Sequence, residues 1–389
     1  MRRSLAVAPA LLVALGLAGE VRAEGPLTVR AGSELAVYQD TDATTVVSPV
    51  LFASVENVLS GWGLSGSFLV DVVSTASADI VATASSRWSE ERYAPALSGH
   101  RRFGAFDVAL RGSLSSEPDY LSVAGGTSIS LDLARKTVTP MLTYDFAHDT
   151  LGRAGTPFSL FSRPIARHTA SLGVSLVLDK ATVFVPSVTA VVELGDGSKP
   201  YRFIPMFSDT AALQVQPGMV AAQIDPLRLD FRPLEQLPTE RQRWALDGRL
   251  LHRFSRSTLR VDERLYADTW GLRATTTDVR YFDDVSPRVR LGGHARLHAQ
   301  NAVSFWRLAY VATMTSAGPR IPALRTEARE LGALYAPTVG LDLRWALDRG
   351  GRFAFTFAGD LTYTKFVDQL FIDHRVGFLG STVFEMEFE

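Results

Sequence analysis

The chain has 389 residues, with 40 Lys and Arg balanced by 41 Asp and Glu, and no cysteine. Near-zero net charge argues against a general nucleic-acid binder, which needs a clustered basic surface. The missing thiol excludes a disulfide scaffold, a thiolate metal site and a lipid-anchored N-terminus, and it suits a chain that crosses an oxidising periplasm.

In chain order, the first segment reads as a secretory signal. Arg2 and Arg3 give the positive start, Leu5 to Leu17 a short apolar core, and Val21-Arg22-Ala23 a cleavage site after Ala23. Residues 1–23 are thus expected to be a signal peptide and residues 24–389 the mature domain. No other stretch reaches the roughly 20 consecutive apolar residues of a membrane helix. An exported chain of this kind is periplasmic, secreted, or a β-barrel of the outer membrane.

Period-two alternation selects the barrel. Leu64, Gly66, Phe68, Val70 and Val72 alternate with Ser65, Ser67 and Asp71. Phe106, Val108 and Leu110 alternate with Asp107, Ala109 and Arg111. Val138 to Phe146 and Ala170 to Leu178 repeat the pattern. From Leu259 to Leu265 the same reading leaves Glu263 on the lipid face, so either it lies near the rim or the register slips there. From Arg288 to Ala299, Val289, Leu291, Ala295 and Leu297 alternate with Arg288, Arg290, His294 and Arg296. Val339 to Leu347 and Phe353 to Tyr363 are the clearest cases. In the last strand Thr382, Phe384, Met386 and Phe388 share one face. A C-terminal amphipathic strand with an aromatic near its end resembles the signal read by the outer-membrane assembly machinery, although Glu389 follows Phe388.

Short connections, such as Ser60-Gly61, Asp179-Lys180 and 348–351, alternate with long ones near 74–78, 149–166, 194–242 and 300–334. Outer-membrane barrels have short periplasmic turns and long outer loops. The expected fold is all-β: an antiparallel transmembrane outer-membrane β-barrel of about 16 strands, within a range of about 14–18.

Several segments resemble a family of outer-membrane proteins known as domain of unknown function 3570. They are residues 37–42 with 46–49, residues 70–79, Ser116-Glu117-Pro118-Asp119-Tyr120, Pro238 to Leu246, residues 264–271 (ending Asp-Thr-Trp-Gly), and Glu327-Ala328-Arg329-Glu330-Leu331. The resemblance covers nearly the whole mature chain. It implies an outer-membrane barrel and no particular activity. Relatives neighbour a small lipoprotein and a flavin-attaching transferase, which implies a lipoprotein or periplasmic partner in surface redox or export work.

Few residues of the sequence point to catalytic or metal chemistry. There is no Gly-x-Ser-x-Gly elbow, and no serine has an evident base among the seven histidines. No enzyme and no cofactor are expected. His294 and His298 share a strand face, but four residues along a strand is about 13 Å, too far for one metal ion. Asp40, Asp42, Asp71 and Asp79 are weak calcium candidates, since hard cations take clustered carboxylates; the alternative is a solvated turn. On these registers Arg260, Arg264, Arg288, Arg290, Asp247, Arg249, Asp342 and Asp360 project into the lumen. They either brace the wall as ion pairs or form an arginine ladder that steers anions. The stretch 194–242 carries six prolines together with Tyr201, Phe203, Phe207 and Phe231, so it is expected to constrict the mouth or to bind a partner. The expected function is a channel for small polar solutes. A closed structural or partner-binding barrel and an outer-membrane enzyme are the alternatives. The lipid bilayer is the expected surrounding and nucleic acid is not an expected partner.

Overall fold

The computed structural model describes residues 27–75, 88–316 and 318–388. The signal peptide expected at 1–23, the segment 76–79 with Asp79, and Glu389 lie outside the described residues.

Sixteen antiparallel strands close into one barrel, each hydrogen-bonded to its neighbours in sequence order. They are β1 (Leu27–Asp40), β2 (Thr44–Asn57), β3 (Trp62–Thr75), β4 (Trp88–Phe103), β5 (Phe106–Glu117), β6 (Tyr120–Leu131), β7 (Val138–Leu151), β8 (Arg163–Val177) and β9 (Thr182–Gly195), then, past a short loop strand β10 (Met206–Phe207), β11 (Glu240–Arg253), β12 (Ser257–Asp268), β13 (Arg273–Ser286) and β14 (Val289–Gln300). The loop strands β15 (Tyr310–Val311), β16 (Thr313–Thr315) and β17 (Gly318–Arg320) precede β18 (Leu334–Ala346), β19 (Phe353–Phe366) and β20 (His374–Phe388). β20 pairs back onto β1, from Val29 opposite Phe388 to Asp40 opposite Gly377. Arg30 and Glu387 bridge that closing seam at 2.6 Å.

Alternation decides which side chains face out. Leu97, Leu110, Leu246, Leu341 and Leu361 are among the large apolar residues left exposed on the outer face. In water that surface would be a liability, whereas in lipid each Leu gains about 1.5–3 kcal/mol of transfer energy. Tyr93, Trp244, Tyr335 and Tyr363 lie toward the long-loop end of their strands, and Phe103, Phe106, Tyr281 and Trp345 toward the short-turn end. Such aromatic girdles mark the two membrane interfaces. Every backbone group of a closed barrel finds a partner in the wall, which lets strands cross lipid. Among the described residues no helix is long and apolar enough to cross a membrane.

Glu263 departs from the pattern without any slip of register. It faces out from the middle of β12, opposite Gly248 on β11 and Thr277 on β13. The Thr275 and Thr277 hydroxyls donate to its two carboxylate oxygens, at 2.7 and 2.5 Å.

The apolar core lies in the loops. Three buried clusters form there: one around Trp270, Val303, Trp306 and Leu331, a second around Phe207, Val215, Ile224 and Leu370, and a third around Ile204, Met206 and Tyr310. β10 pairs in parallel with β15, which joins the β9–β11 connection to the β14–β18 connection. Two single-turn helices, α1 (Asp209–Ala212) and α2 (Ala221–Ile224), complete this cap at the long-loop end.

Candidate functional site

The cap is tied to the barrel rim by charged residues near the strand ends. Two outer hairpins use the same device. Tyr38 donates its hydroxyl to Asp40, whose other oxygen accepts the amides of Asp42 and Thr44. Tyr266 likewise donates to Asp268, whose other oxygen accepts the amides of Trp270 and Leu272. Each aspartate also meets an arginine, Arg375 for Asp40 at 3.6 Å and Arg241 for Asp268 at 2.5 Å. Gly271 completes the second turn at φ +87°, a left-handed value that glycine adopts without strain. The Arg241 guanidinium lies 4.3 Å from the Trp270 ring, and the indole N–H donates to the Glu240 carbonyl.

Long-range contacts then hold the cap down. Arg329 donates to Asp42 at 2.5 Å. Tyr201 donates to Asp119 at 3.2 Å. Glu235, 3% exposed, accepts from Arg202, from the Lys199 amide and from the Thr326 hydroxyl, so it binds the two long connections to each other. Burial pushes the Tyr201 and Tyr310 phenols up, which keeps both as neutral donors. The segments of the sequence resemblance that contain Asp42, Asp119, Arg241, Asp268 and Arg329 are therefore the ones that fasten the cap.

The sequence-predicted charges fall into place as follows. Asp247 pairs with Arg264 at 3.1 Å, and Arg249 and Arg260 both bind Asp262 at 2.5 Å. Arg290 binds Asp284 at 2.7 Å, and the Asp360 carboxylate accepts from the imidazole of His294 at 2.9 Å. Asp342 lies opposite Gly292, between Arg290 and His294 along the neighbouring strand. Arg288 does not join them. It occupies the two-residue β13–β14 turn, where the Ser286 hydroxyl accepts its amide, so the alternation of β14 begins one residue later. Asp40 and Asp42 hold arginines, and Asp71 binds Arg92 and the Ser48 hydroxyl.

Sequence reasoning missed several groups. Asp284 lies within β13, which runs on to Ser286, and pairs with both Arg253 and Arg290. His100 lies within β4. Glu90, Glu117 and Asp119 bring one carboxylate oxygen each within 4.8 Å of one another, the only such acidic or histidine triad among the described residues. Glu90 and Glu117 occupy different strands, so no local spacing signals the cluster.

Between the cap and the β7–β11 wall lies a cavity of about 380 Å³, where Arg167 bridges Asp149 and Glu193. Lower in the barrel a cavity of about 530 Å³ follows a wall of small side chains, with Ser54, Ser65, Ser67, Ser98 and Ser113 lining it and the bidentate Arg111–Asp145 pair at 2.6 Å on its edge.

In overall chain path the protein is similar to the outer-membrane protein OpdK of Pseudomonas aeruginosa, at 8% identity and a TM-score of 0.44 over 93% of this chain and 99% of that one. It is also similar to a bacterial polysaccharide outer-membrane secretin, at 7% identity and 0.46 over 93% and 98%. The siderophore receptor PirA of Acinetobacter baumannii gives 8% and 0.43 over 88% of this chain and 53% of the receptor. At such identities residue roles do not transfer. No curated protein matches the chain. The model of a family described as protein of unknown function, DUF3570, matches residues 162–366, more than half of the sequence, and the chain belongs to that family.

Proposed function

We propose that the protein is an outer-membrane channel for small polar solutes, narrowed at its mouth by the folded cap. The observation that supports this reading is the cavity of about 530 Å³ along the β2–β7 wall. Its inward side chains are mainly Ser and Ala, which leave space where larger residues would fill the interior, and their hydroxyls can replace water around a passing solute. Planar-bilayer conductance of the refolded mature protein is the test. Steady open steps are expected. Silence from protein whose folding is verified by heat-modifiable gel migration would overturn the reading.

A second reading, a closed barrel that binds a lipoprotein or another surface partner, is favoured by apolar residues on the cap. Leu213 is 87% exposed and Met314 65%. It predicts silence in the bilayer together with a stable complex in detergent extracts.

A further inference from the structure

The lumen is not lined evenly. The β2–β7 wall is hydroxyl-rich and carries few charges at its middle. The wall formed by β11, β12, β13, β14 and β18 is dense in arginine, and there the arginines outnumber their acidic partners. Asp262 serves both Arg249 and Arg260, and Asp284 serves both Arg253 and Arg290. One carboxylate between two guanidinium groups leaves a net positive charge. Arg344 lies directly opposite Arg290 in the register and makes no ion pair among the described residues. Arg260 lies opposite Arg280, which Asp278 binds at 2.8 Å. Like charges facing each other across a strand pair are destabilising, so a fold that keeps them gains from a mobile anion between them.

The depth of the groups matters as much as their number. The side chains of Arg249, Arg253, Arg264 and Arg290 are 45–51% exposed, while those of their aspartates are 23–28% exposed. The carboxylates thus sit close to the wall and the guanidinium groups stand in front of them. Arg249, Arg260 and Arg290 bind through Nε, so their Nη groups are not committed to these bonds. A free Nη pair presents two parallel N–H donors, which matches two oxygens of a carboxylate or phosphate.

We infer that the β11–β18 wall is an anion path that binds small oxyanions, carboxylates or phosphates, in steps between the Asp284 and Asp262 clusters. This rests on the channel reading only for transport; binding at the wall stands apart from it. Ion pairing braces the wall, and the surplus arginines supply the selectivity. The remaining lumen acids include several engaged elsewhere, such as Asp149 with Arg167 and Glu387 with Arg30.

Two measurements on the full mature protein separate the outcomes. The first is the reversal potential in a potassium chloride gradient, for the wild type, Arg260→Gln with Arg290→Gln, and Asp262→Asn. Anion preference is expected in the wild type, a shift toward zero in the double variant and a larger anion preference in Asp262→Asn. Cation preference in the wild type, or no change in the variants, would overturn the inference while leaving the channel reading intact. The second is phenylglyoxal labelling of Arg249, Arg260 and Arg290, read by mass spectrometry with benzoate, phosphate or chloride present. Slower labelling in benzoate or phosphate than in chloride is expected, and the more protective of the two identifies the preferred oxyanion. Silence in the bilayer with protection would sink the channel reading and keep the site. Equal labelling in all three salts would remove the site.

Discussion

Arg329, in the connection that follows β14, donates to Asp42 in the β1–β2 hairpin at 2.5 Å, with β18, β19 and β20 lying between them in the wall. The two side chains are 16% and 9% exposed. This contact closes the cap onto the rim at the β1–β2 hairpin. A mostly buried pair is valuable less for its net attraction than for the penalty of leaving one member alone, about 3–5 kcal/mol.

Arg329→Ala is therefore expected to free the 301–333 connection while the barrel persists. Limited proteolysis should cut the variant within that stretch, and single-channel conductance should rise. An uncut loop and unchanged conductance would show that the latch is held by other contacts.

Asp268 accepts from two amides, from Tyr266 and from Arg241, and its side chain is fully buried. Asp268→Ala strands these donors together, with an expected loss of about 3–5 kcal/mol in the stability of the cap. Asp40→Ala should lose less, because Arg375 stands 3.6 Å away and is more exposed than Arg241. Hydrogen exchange at the two hairpins measures both; a larger effect at Asp40 would contradict the argument.

Phe207 is fully buried in the cap core. Phe207→Ala is expected to cost about 3–5 kcal/mol there. Since the cap core contains none of the outward lipid-facing residues, tryptophan fluorescence should report cap loosening at a lower denaturant concentration than the loss of heat-modifiable barrel migration. A single shared transition would show instead that cap and barrel unfold as one unit. Deleting 200–235 goes further, and should alter conductance or partner capture while the barrel still forms.

Glu263 lies midway along β12, between the row of Trp244 and that of Tyr281. Two threonine hydroxyls reduce its exposure to lipid but do not remove it. Glu263→Leu is expected to raise unfolding stability in lipid vesicles, and Glu263→Lys to lower it by about 2–4 kcal/mol. A less stable Leu variant would mean that this carboxylate has a partner in the membrane.

Much of the architecture was legible in sequence because it is local. In an up-and-down barrel each strand pairs with its neighbours in the chain, and short turns set the register. Leu291 and Leu297 out, Arg290 and Arg296 in, follow from a period of two with no knowledge of distant residues. The Pro-rich, aromatic 194–242 stretch could be recognised as more than a solvated loop from composition.

What only the tertiary structure decided depends on contacts between segments far apart in sequence. Nothing around Asp42 indicates Arg329, and nothing around Asp262 indicates that it must satisfy two arginines, because ion pairing depends on where side chains end in space. Glu90, Glu117 and Asp119 meet only once β4 and β5 are placed side by side. The sequence by itself determined the alternating strands, the balanced charge and the apolar outer face, each set by neighbouring residues. The packed cap, the shared aspartates and the forward-standing arginines arise from barrel closure, which brings distant loops over one mouth and distant charges onto one wall.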